Sequence, residues 1–230
     1  ALAAGLVDAV VDDADLGTWV EVALGLTSAA PPPPARTTAP AATGSAPWDL
    51  VRAARHPDRP TGVDVAAVLC DSWLDLAAPD PTVRTALATI DDTAVVVVAS
   101  DRHAGDGRPR PAGFRQARRA VELAGRLGRP VVSLVDTPGA AADPDSENGG
   151  VAAEIAATFE AFAAVPVPTV GVCVGEGGSG GALALAWTDR LILQRTAVFS
   201  VIAPEAAAVI LGRGDDEVPT VADELALTSE

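Results

Sequence analysis

The sequence predicts an α/β fold built on a mainly parallel sheet, and two observations lead to this class. Apolar segments and helical stretches alternate through the second half of the 230-residue chain. The apolar segments lack a polar alternation, which is typical of parallel strands that helices cover on both faces. The predicted strands are 94–99, 131–135, 169–174 and about 190–194, and the predicted helices between them are 112–127, 150–164 and 179–187.

The first 47 residues are organised differently. Residues 1–27 predict a short strand at Val7–Val11 and an amphipathic helix from about Asp15, too little to bury a core of their own. Residues 28–47 are rich in Pro, Ala, Thr and Ser. This composition favours extended polyproline II, so we expect an interdomain linker without a packed face.

The main domain is therefore expected at residues 48–230. Its first predicted element is a short helix from Trp48, which Pro57 stops. Two further helices are predicted before the first strand, at residues 63–76 and 83–90. Ligands usually bind where parallel strands end, so the loops after the strands 131–135 and 169–174 are the candidate sites.

Composition excludes several classes of function. With 49% hydrophobic residues the chain can bury a sizeable core, and its net charge of −15 argues against a nucleic-acid or anionic-membrane partner. All 16 basic residues are arginines, so no lysine is available for a Schiff base or for a phosphate-binding loop. The two cysteines, Cys70 and Cys173, have no metal-ligand spacing. We expect reduced core thiols, a cytoplasmic location, no metal and no membrane span.

Residues 175–181, GEGGSGG, carry five glycines between a predicted strand and a predicted helix. They satisfy G-x-G-x-x-G, but no acidic residue follows at the distance that ribose binding needs. They also satisfy the nucleophile-elbow pattern around Ser179, yet both histidines, His56 and His103, precede that serine. The stretch 136–139 resembles the DxxG switch of GTPases, but the lysine of a phosphate-binding loop is missing.

The remaining interpretation of the glycine turn is backbone chemistry. Amide N–H groups at the start of a helix, together with the positive end of the helix dipole, stabilise an anionic oxygen that develops on a substrate. The glycines would then let that substrate approach. The alternative is a close helix–strand crossing that needs small residues only for packing.

Four blocks carry a resemblance to a known family. They are WDLVRAARHPDRP, GFRQARRAVELAGRLGRPVVSLVDTPGA, VPTVGVCVGEGGSGGALALA and FSVIAPEAAAVIL. In this order they resemble the α subunit of bacterial acetyl-CoA carboxylase carboxyltransferase, from about Trp48 to Leu211. The resemblance implies the crotonase (ClpP-like) fold, a spiral of ββα units. Residues 1–12, ALAAGLVDAVVD, resemble the strand that closes a β subunit of the same fold, so the chain resembles part of a β–α fusion.

The resemblance also implies the residues of the site. Gly180, Gly181 and Ala182 would supply backbone oxyanion donors on the biotin side. The biotin pocket would be formed by Asp136, Thr137, Pro138, Gly139, Ala140, Gly177, Gly178, Phe199, Ser200 and Pro204. The sequence differs from the family before the DTPGA block and at residues 149–151, where Gly-Gly-Val stands for Arg-Gly-Gln.

The resemblance implies a function and a set of partners. The activity would be carboxyl transfer from carboxybiotin on a carrier protein to an acyl-CoA, either acetyl-CoA or propionyl-CoA. The partners would be a carboxyltransferase β domain or subunit, a biotin carboxyl carrier protein and a biotin carboxylase, in an α2β2-type hetero-oligomer. Two alternatives that do not use biotin stay open: a crotonase-fold acyl-CoA decarboxylase and a non-catalytic scaffold subunit.

Overall fold

A computed structural model describes residues 11–24, 29–38, 42, 44–76 and 79–228. The helices are α1 (Asp13–Ala23), α2 (Pro47–Ala54), α3 (Gly62–Leu69), α4 (Pro111–Leu127), α5 (Pro144–Asn148), α6 (Val151–Ala164), α7 (Ser179–Ala186), α8 (Pro204–Ile210) and α9 (Val218–Glu224), with a 3₁₀ turn at Asp215–Glu217. The strands are β1 (Ser72–Asp75), β2 (Val83–Ile90), β3 (Thr93–Ser100), β4 (Val131–Thr137), β5 (Thr169–Gly178), β6 (Arg190–Leu193) and β7 (Val198–Ser200).

The seven strands form one mixed sheet in the order β1-β2-β3-β4-β5-β6, and β7 pairs with the end of β5. Strands β1, β2 and β3 are antiparallel neighbours. From β3 to β6 every pairing is parallel, as is that of β7 with β5. The α/β class with a mostly parallel sheet is therefore confirmed.

Both faces of the sheet are covered, as the apolar strands require. On β3, Val96 and Val98 pack in a cluster with α4, α6 and α7. Val95 and Val97 point to the opposite face and pack in a second cluster, which includes Ala66 of α3. Helix α4 is amphipathic, begins with Pro111 and ends at Gly128, whose φ of 63° is the left-handed value common after helices.

Two predicted helices were wrong. Residues 83–90 are strand β2, and the helix predicted over residues 63–76 ends at Leu69 and is followed by strand β1. The β2–β3 turn consists of Asp91 and Asp92, which have φ values of 48° and 60°. A two-residue turn with positive φ at both positions matches the twist of a hairpin, so the two strands pair antiparallel along their whole length.

The prediction that the linker lacks a packed face was also wrong, for its residues 29–38. The backbone N–H of Trp73 donates to the carbonyl of Ala29, at 2.8 Å. The amides of Ala35 and Arg36 donate to Oδ1 of Asp64, a buried residue of α3. Buried carboxylates need such donors, so this part of the linker is tied to the domain.

The first residues of the chain are described in part. The helix predicted from about Asp15 is α1, and its Trp19 and Val22 pack against the first cluster. The strand predicted at residues 7–11 lies almost wholly outside the described residues. Among the helices of the described ranges, none combines the length and the apolar character that a membrane crossing requires.

Candidate functional site

The glycine turn lies where β5 ends and α7 begins. Strand β5 continues to Gly178, and Ser179 is the first residue of α7. Ser179 has a φ of 57°, an uncommon value for a residue with a side chain, so the backbone changes direction sharply here. No side chain caps the start of α7. The first amides of this helix therefore have no partner within the helix or from a capping side chain.

Close packing within the chain explains four of the five glycines. An ideal Cβ on Gly175 would lie 2.3 Å from the guanidinium carbon of Arg59, and one on Gly177 would lie 2.3 Å from the ring of Phe199. The turn also presses against the loop after β4. A Cβ on Gly178 would lie 2.2 Å from a carbonyl oxygen of that loop, and one on Gly181 would lie 2.5 Å from an amide nitrogen of the same loop.

Gly180 is different from the other four. An added Cβ at Gly180 would meet no atom within 4 Å, and its φ is not among the positive values. Packing therefore does not require a glycine at this position, whereas the space beside it is open. Of the five glycines, only Gly180 has the open space that a substrate would need. The packing alternative explains Gly175, Gly177, Gly178 and Gly181.

The predicted oxyanion donors differ in exposure. Gly180 is half-buried, and Gly181 is buried against the loop after β4. Ala182 is 0% exposed and belongs to the first hydrophobic cluster. Of the three predicted donors, only Gly180 is partly exposed, and the role of all three amides stays a prediction.

Only part of the DTPGA loop, residues 136–140, faces the glycine turn. Asp136 and Thr137 are both 0% exposed, so they support the loop from behind rather than line a pocket. The hydroxyl of Thr137 donates to the carbonyl of Gly107, at 2.7 Å, and accepts from the amide of Gly139, at 3.2 Å. Pro138 and Ala140 are half-buried. The surface of the loop at the glycine turn is therefore formed from residues 138–140.

The last group of predicted pocket residues, Phe199, Ser200 and Pro204, forms a wall beside the turn. Phe199 pairs with Gly177, and Ser200 pairs with Gly178, because β7 runs parallel to the end of β5. Pro204 is buried at the first position of α8. Phe199 and Ser200 are half-buried, so they are the two members of this wall that a ligand could contact.

A buried ion pair lies directly behind the turn. The guanidinium of Arg59 binds both carboxylate oxygens of Asp136, with Nη1 2.8 Å from Oδ2. The amide of Glu176 also donates to Asp136, at 3.3 Å. Burial raises the pKa of the Asp136 carboxyl, and the hydrogen bonds from Arg59 oppose this shift. Asp136 thus joins the end of β4 to the glycine turn of β5.

A second group of charges lies around Glu176. Its carboxylate accepts from Nε and Nη2 of Arg55, at 3.0 and 2.7 Å, and lies 3.2 Å from Nη2 of Arg102. Arg55 also binds Glu205 at the start of α8, at 2.5 Å. Burial lowers the pKa of Arg102, although the charge of Glu176 opposes that shift.

Sequence reasoning did not assign Arg55, Arg59 or Arg102 to the site. The available signal was Glu176 itself, a carboxylate at the end of a predicted buried strand, because a buried charge requires a partner. The partners are remote in sequence. Arg55 and Glu176 are separated by 121 positions, and only the fold brings them together.

The serine-hydrolase arrangement is not present. Nδ1 of His56 accepts from the amide of Asp58, and the amide of His103 donates to Asp101, so both residues bond within their own loops. Ser179 has no hydrogen bond to either histidine in this structure. Within the described ranges, no three His, Cys, Asp or Glu residues are grouped as metal ligands would be.

The sequence has relatives among known proteins. The sequence model of a family described as acetyl co-enzyme A carboxylase carboxyltransferase-like matches residues 40–230. The chain is 44% identical over 195 residues to the fused carboxyl transferase subunits beta/alpha of acetyl-coenzyme A carboxylase from Salinispora tropica, covering 79% of this chain and 34% of that protein. It is 40% identical over 200 residues to the α subunit from Rubrobacter xylanophilus, covering 81% of this chain and 62% of that protein.

The fold also recurs in a solved structure. Transcarboxylase 12S, crystallised with methylmalonyl-coenzyme A and methylmalonic acid, superposes with a TM-score of 0.65 at 23% identity, over 70% of this chain and 34% of that one. The crotonase fold expected from the resemblance is confirmed by this similarity. Because the family model matches most of the chain, the protein belongs to the acetyl-CoA carboxylase carboxyltransferase-like family.

Proposed function

We propose that this chain supplies the α part of the carboxyltransferase of a biotin-dependent acyl-CoA carboxylase. The reaction is transfer of a carboxyl group from carboxybiotin to the α-carbon of acetyl-CoA or propionyl-CoA. One observation carries the proposal: the start of α7 has no side-chain cap and lies beside open space at Gly180, in a chain of the carboxyltransferase family.

The residues present fit the biotin side of this reaction. Carboxybiotin, when bound, supplies the carboxyl group. The part of this chain is to direct the amides of Gly180 and Gly181 at an oxygen that becomes negative, with the dipole of α7 behind them. Pro138, Ala140 and Phe199 form the surface around these amides, and no side-chain base is required of them.

The same family membership supports the choice of partners. A β carboxyltransferase domain or subunit is the first partner, because relatives of this chain include fused beta/alpha proteins. Residues 1–27 would close that preceding domain, residues 28–47 would link the two, and residues 48–230 would be the α-like domain. A biotin carboxyl carrier protein and a biotin carboxylase complete the proposed assembly, of the α2β2 type. We propose a cytoplasmic location, which suits the two free cysteines.

The test is the reverse reaction, followed with free biotin. The chain is expressed with its β part, and release of acyl-CoA from malonyl-CoA and from methylmalonyl-CoA is measured with and without biotin. Turnover that depends on biotin supports the proposal, and the faster substrate identifies the acyl group. Turnover without biotin would identify a decarboxylase instead, and no turnover with either substrate would contradict both activities.

A further inference from the structure

Glu176 is the only charged residue of the glycine turn, and the structure fixes it at both its backbone and its side chain. Its amide donates to the buried carboxylate of Asp136. Its side chain is 8% exposed and therefore does not extend into the open space beside Gly180. Glu176 precedes Gly180 by four positions, so its placement determines how the chain enters the turn.

The carboxylate of Glu176 joins separate parts of the fold. Arg55 follows α2, and its two contacts of 3.0 and 2.7 Å both reach Oε1 of Glu176. Arg102 lies in the loop after β3 and approaches the other oxygen, Oε2. The side chain of Arg102 is 17% exposed, so little water is available to replace its partner. Through Arg55 and Glu205, the same network extends to the start of α8.

Loss of this one charge would act on the turn directly. Without the carboxylate, Arg55 would keep only Glu205 as a partner, and Arg102, whose side chain is 17% exposed, would lose the ion pair with Glu176, which is costly. Glu176 belongs to β5, and its amide donates to Asp136, so a change in the contacts of its side chain acts next to the backbone of the turn. A displacement of less than an ångström in amide donors is enough to lower transition-state stabilisation.

We propose that Glu176 is a positioning residue: held between Arg55 and Arg102, it sets the direction of the Gly180 and Gly181 amides. This inference rests on the proposed carboxyl transfer for its kinetic consequence, but not for its structural one. It adds a charged residue to a site whose expected chemistry otherwise depends on the backbone.

The test compares Glu176→Gln with Glu154→Gln in the assembly that includes the β part. The glutamine keeps the size and one acceptor oxygen, so the fold is expected to survive. Glu154 is a matched control, because its carboxylate also binds two arginines, Arg115 and Arg118, on the remote α4–α6 surface. Amide hydrogen exchange of residues 176–182 and the biotin-dependent kcat and KM for malonyl-CoA are measured for both variants.

We expect Glu176→Gln to accelerate exchange at residues 176–182 about tenfold, and to lower kcat about tenfold while KM stays within about twofold. Glu154→Gln should change neither. Unchanged exchange in the turn, or acceleration spread evenly over β4 and α4, would overturn the inference. If the unmodified assembly shows no biotin-dependent turnover, the proposed function fails, and the exchange rates alone still decide the role of Glu176.

Discussion

The guanidinium of Arg59 occupies the space that a side chain at Gly175 would need. A Cβ on Gly175 would lie 2.3 Å from Cζ of Arg59, while the same guanidinium binds both oxygens of the buried Asp136. Arg59 is 4% exposed, and its guanidinium also donates to the carbonyls of Ala54 and Pro60. A glycine at position 175 therefore leaves room for the ion pair between the α2–α3 loop and the end of β4.

Gly175→Ala should destabilise the fold by breaking this pair. The methyl group would displace Arg59 and leave the Asp136 carboxylate buried without its partner, at a cost of about 3 kcal/mol. The free energy of unfolding, measured by urea denaturation, checks this. Gly180→Ala is the matched control, because its methyl group meets open space and should change stability by less than about 1 kcal/mol. Equal losses in the two variants would contradict the role assigned to Arg59.

Gly180→Val should lower activity without unfolding the protein. The valine side chain would project into the open space where the proposed substrate oxygen binds, so we expect kcat for biotin-dependent turnover to fall about 10²-fold or more. Ser179→Ala should retain most of the activity, since the donors are backbone amides. If the Ser179→Ala variant were inactive and the Gly180→Val variant active, the result would instead indicate a serine nucleophile.

Gly180 is a better position than Gly181 for this substitution. Gly181 is also among the oxyanion donors predicted from the sequence, so valine at this position is the alternative substitution. A Cβ at Gly181 would, however, lie 2.5 Å from the backbone nitrogen of Ala140, so valine there would displace the DTPGA loop. Loss of activity in Gly181→Val would therefore not separate blocked binding from a damaged loop.

The sequence predicts the parallel half of the sheet well and the antiparallel half poorly. Buried parallel strands are continuous apolar runs between helices, and these were recognised. Strand β2 was mistaken for a helix because Val83, Ala86, Leu87 and Ile90 recur at helical spacing. The segment is nevertheless a strand, because it pairs antiparallel with β1 on one side and with β3 on the other. The Asp91-Asp92 turn, next to β-branched residues, was the signal that could have identified the hairpin.

The sequence predicted those parts of the candidate site that consist of neighbouring residues. The glycine turn, the DTPGA loop and Phe199 were each found from motifs, and the fold brings them together. Which glycines face solvent could not be predicted, because that depends on what packs against them. The pairing of Arg59 with Asp136 joins positions 77 residues apart, which no local pattern encodes.

Asp64→Asn should release the linker segment 29–38 from α3. Oδ1 of Asp64 accepts from the amides of Ala35 and Arg36, and Oδ2 accepts from Thr61, so an asparagine can satisfy only one of the two sides. We expect trypsin to cut after Arg36 several times faster, as measured by mass spectrometry. Thr61→Ala is the control, because it removes the cap of α3, at about 1 kcal/mol, and leaves the linker contacts in place. Equal acceleration in both variants would show that general destabilisation is responsible.

The two cysteines should govern the stability of the fold at alkaline pH. Burial raises the pKa of the Cys70 thiol to about 11 and that of Cys173 to about 12, against about 8.5 for an exposed thiol. The chain has no lysine or tyrosine, the other side chains that ordinarily titrate in this range. Because both folded values exceed the unfolded one, this stabilisation is complete below about pH 8.5 and is lost as the pH rises toward the folded values.

For Cys173 the loss should approach about 1.4 kcal/mol per pH unit above the unfolded pKa. Denaturant midpoints measured between pH 8 and pH 11 should therefore fall less steeply in Cys173→Ala than in the unmodified protein. The ultraviolet absorbance of the thiolate in the folded protein gives an independent check, since no tyrosine overlaps it. Ionisation of Cys173 with an ordinary pKa in the folded state would show that β5 is open to water at this residue, in conflict with the complete burial of Cys173.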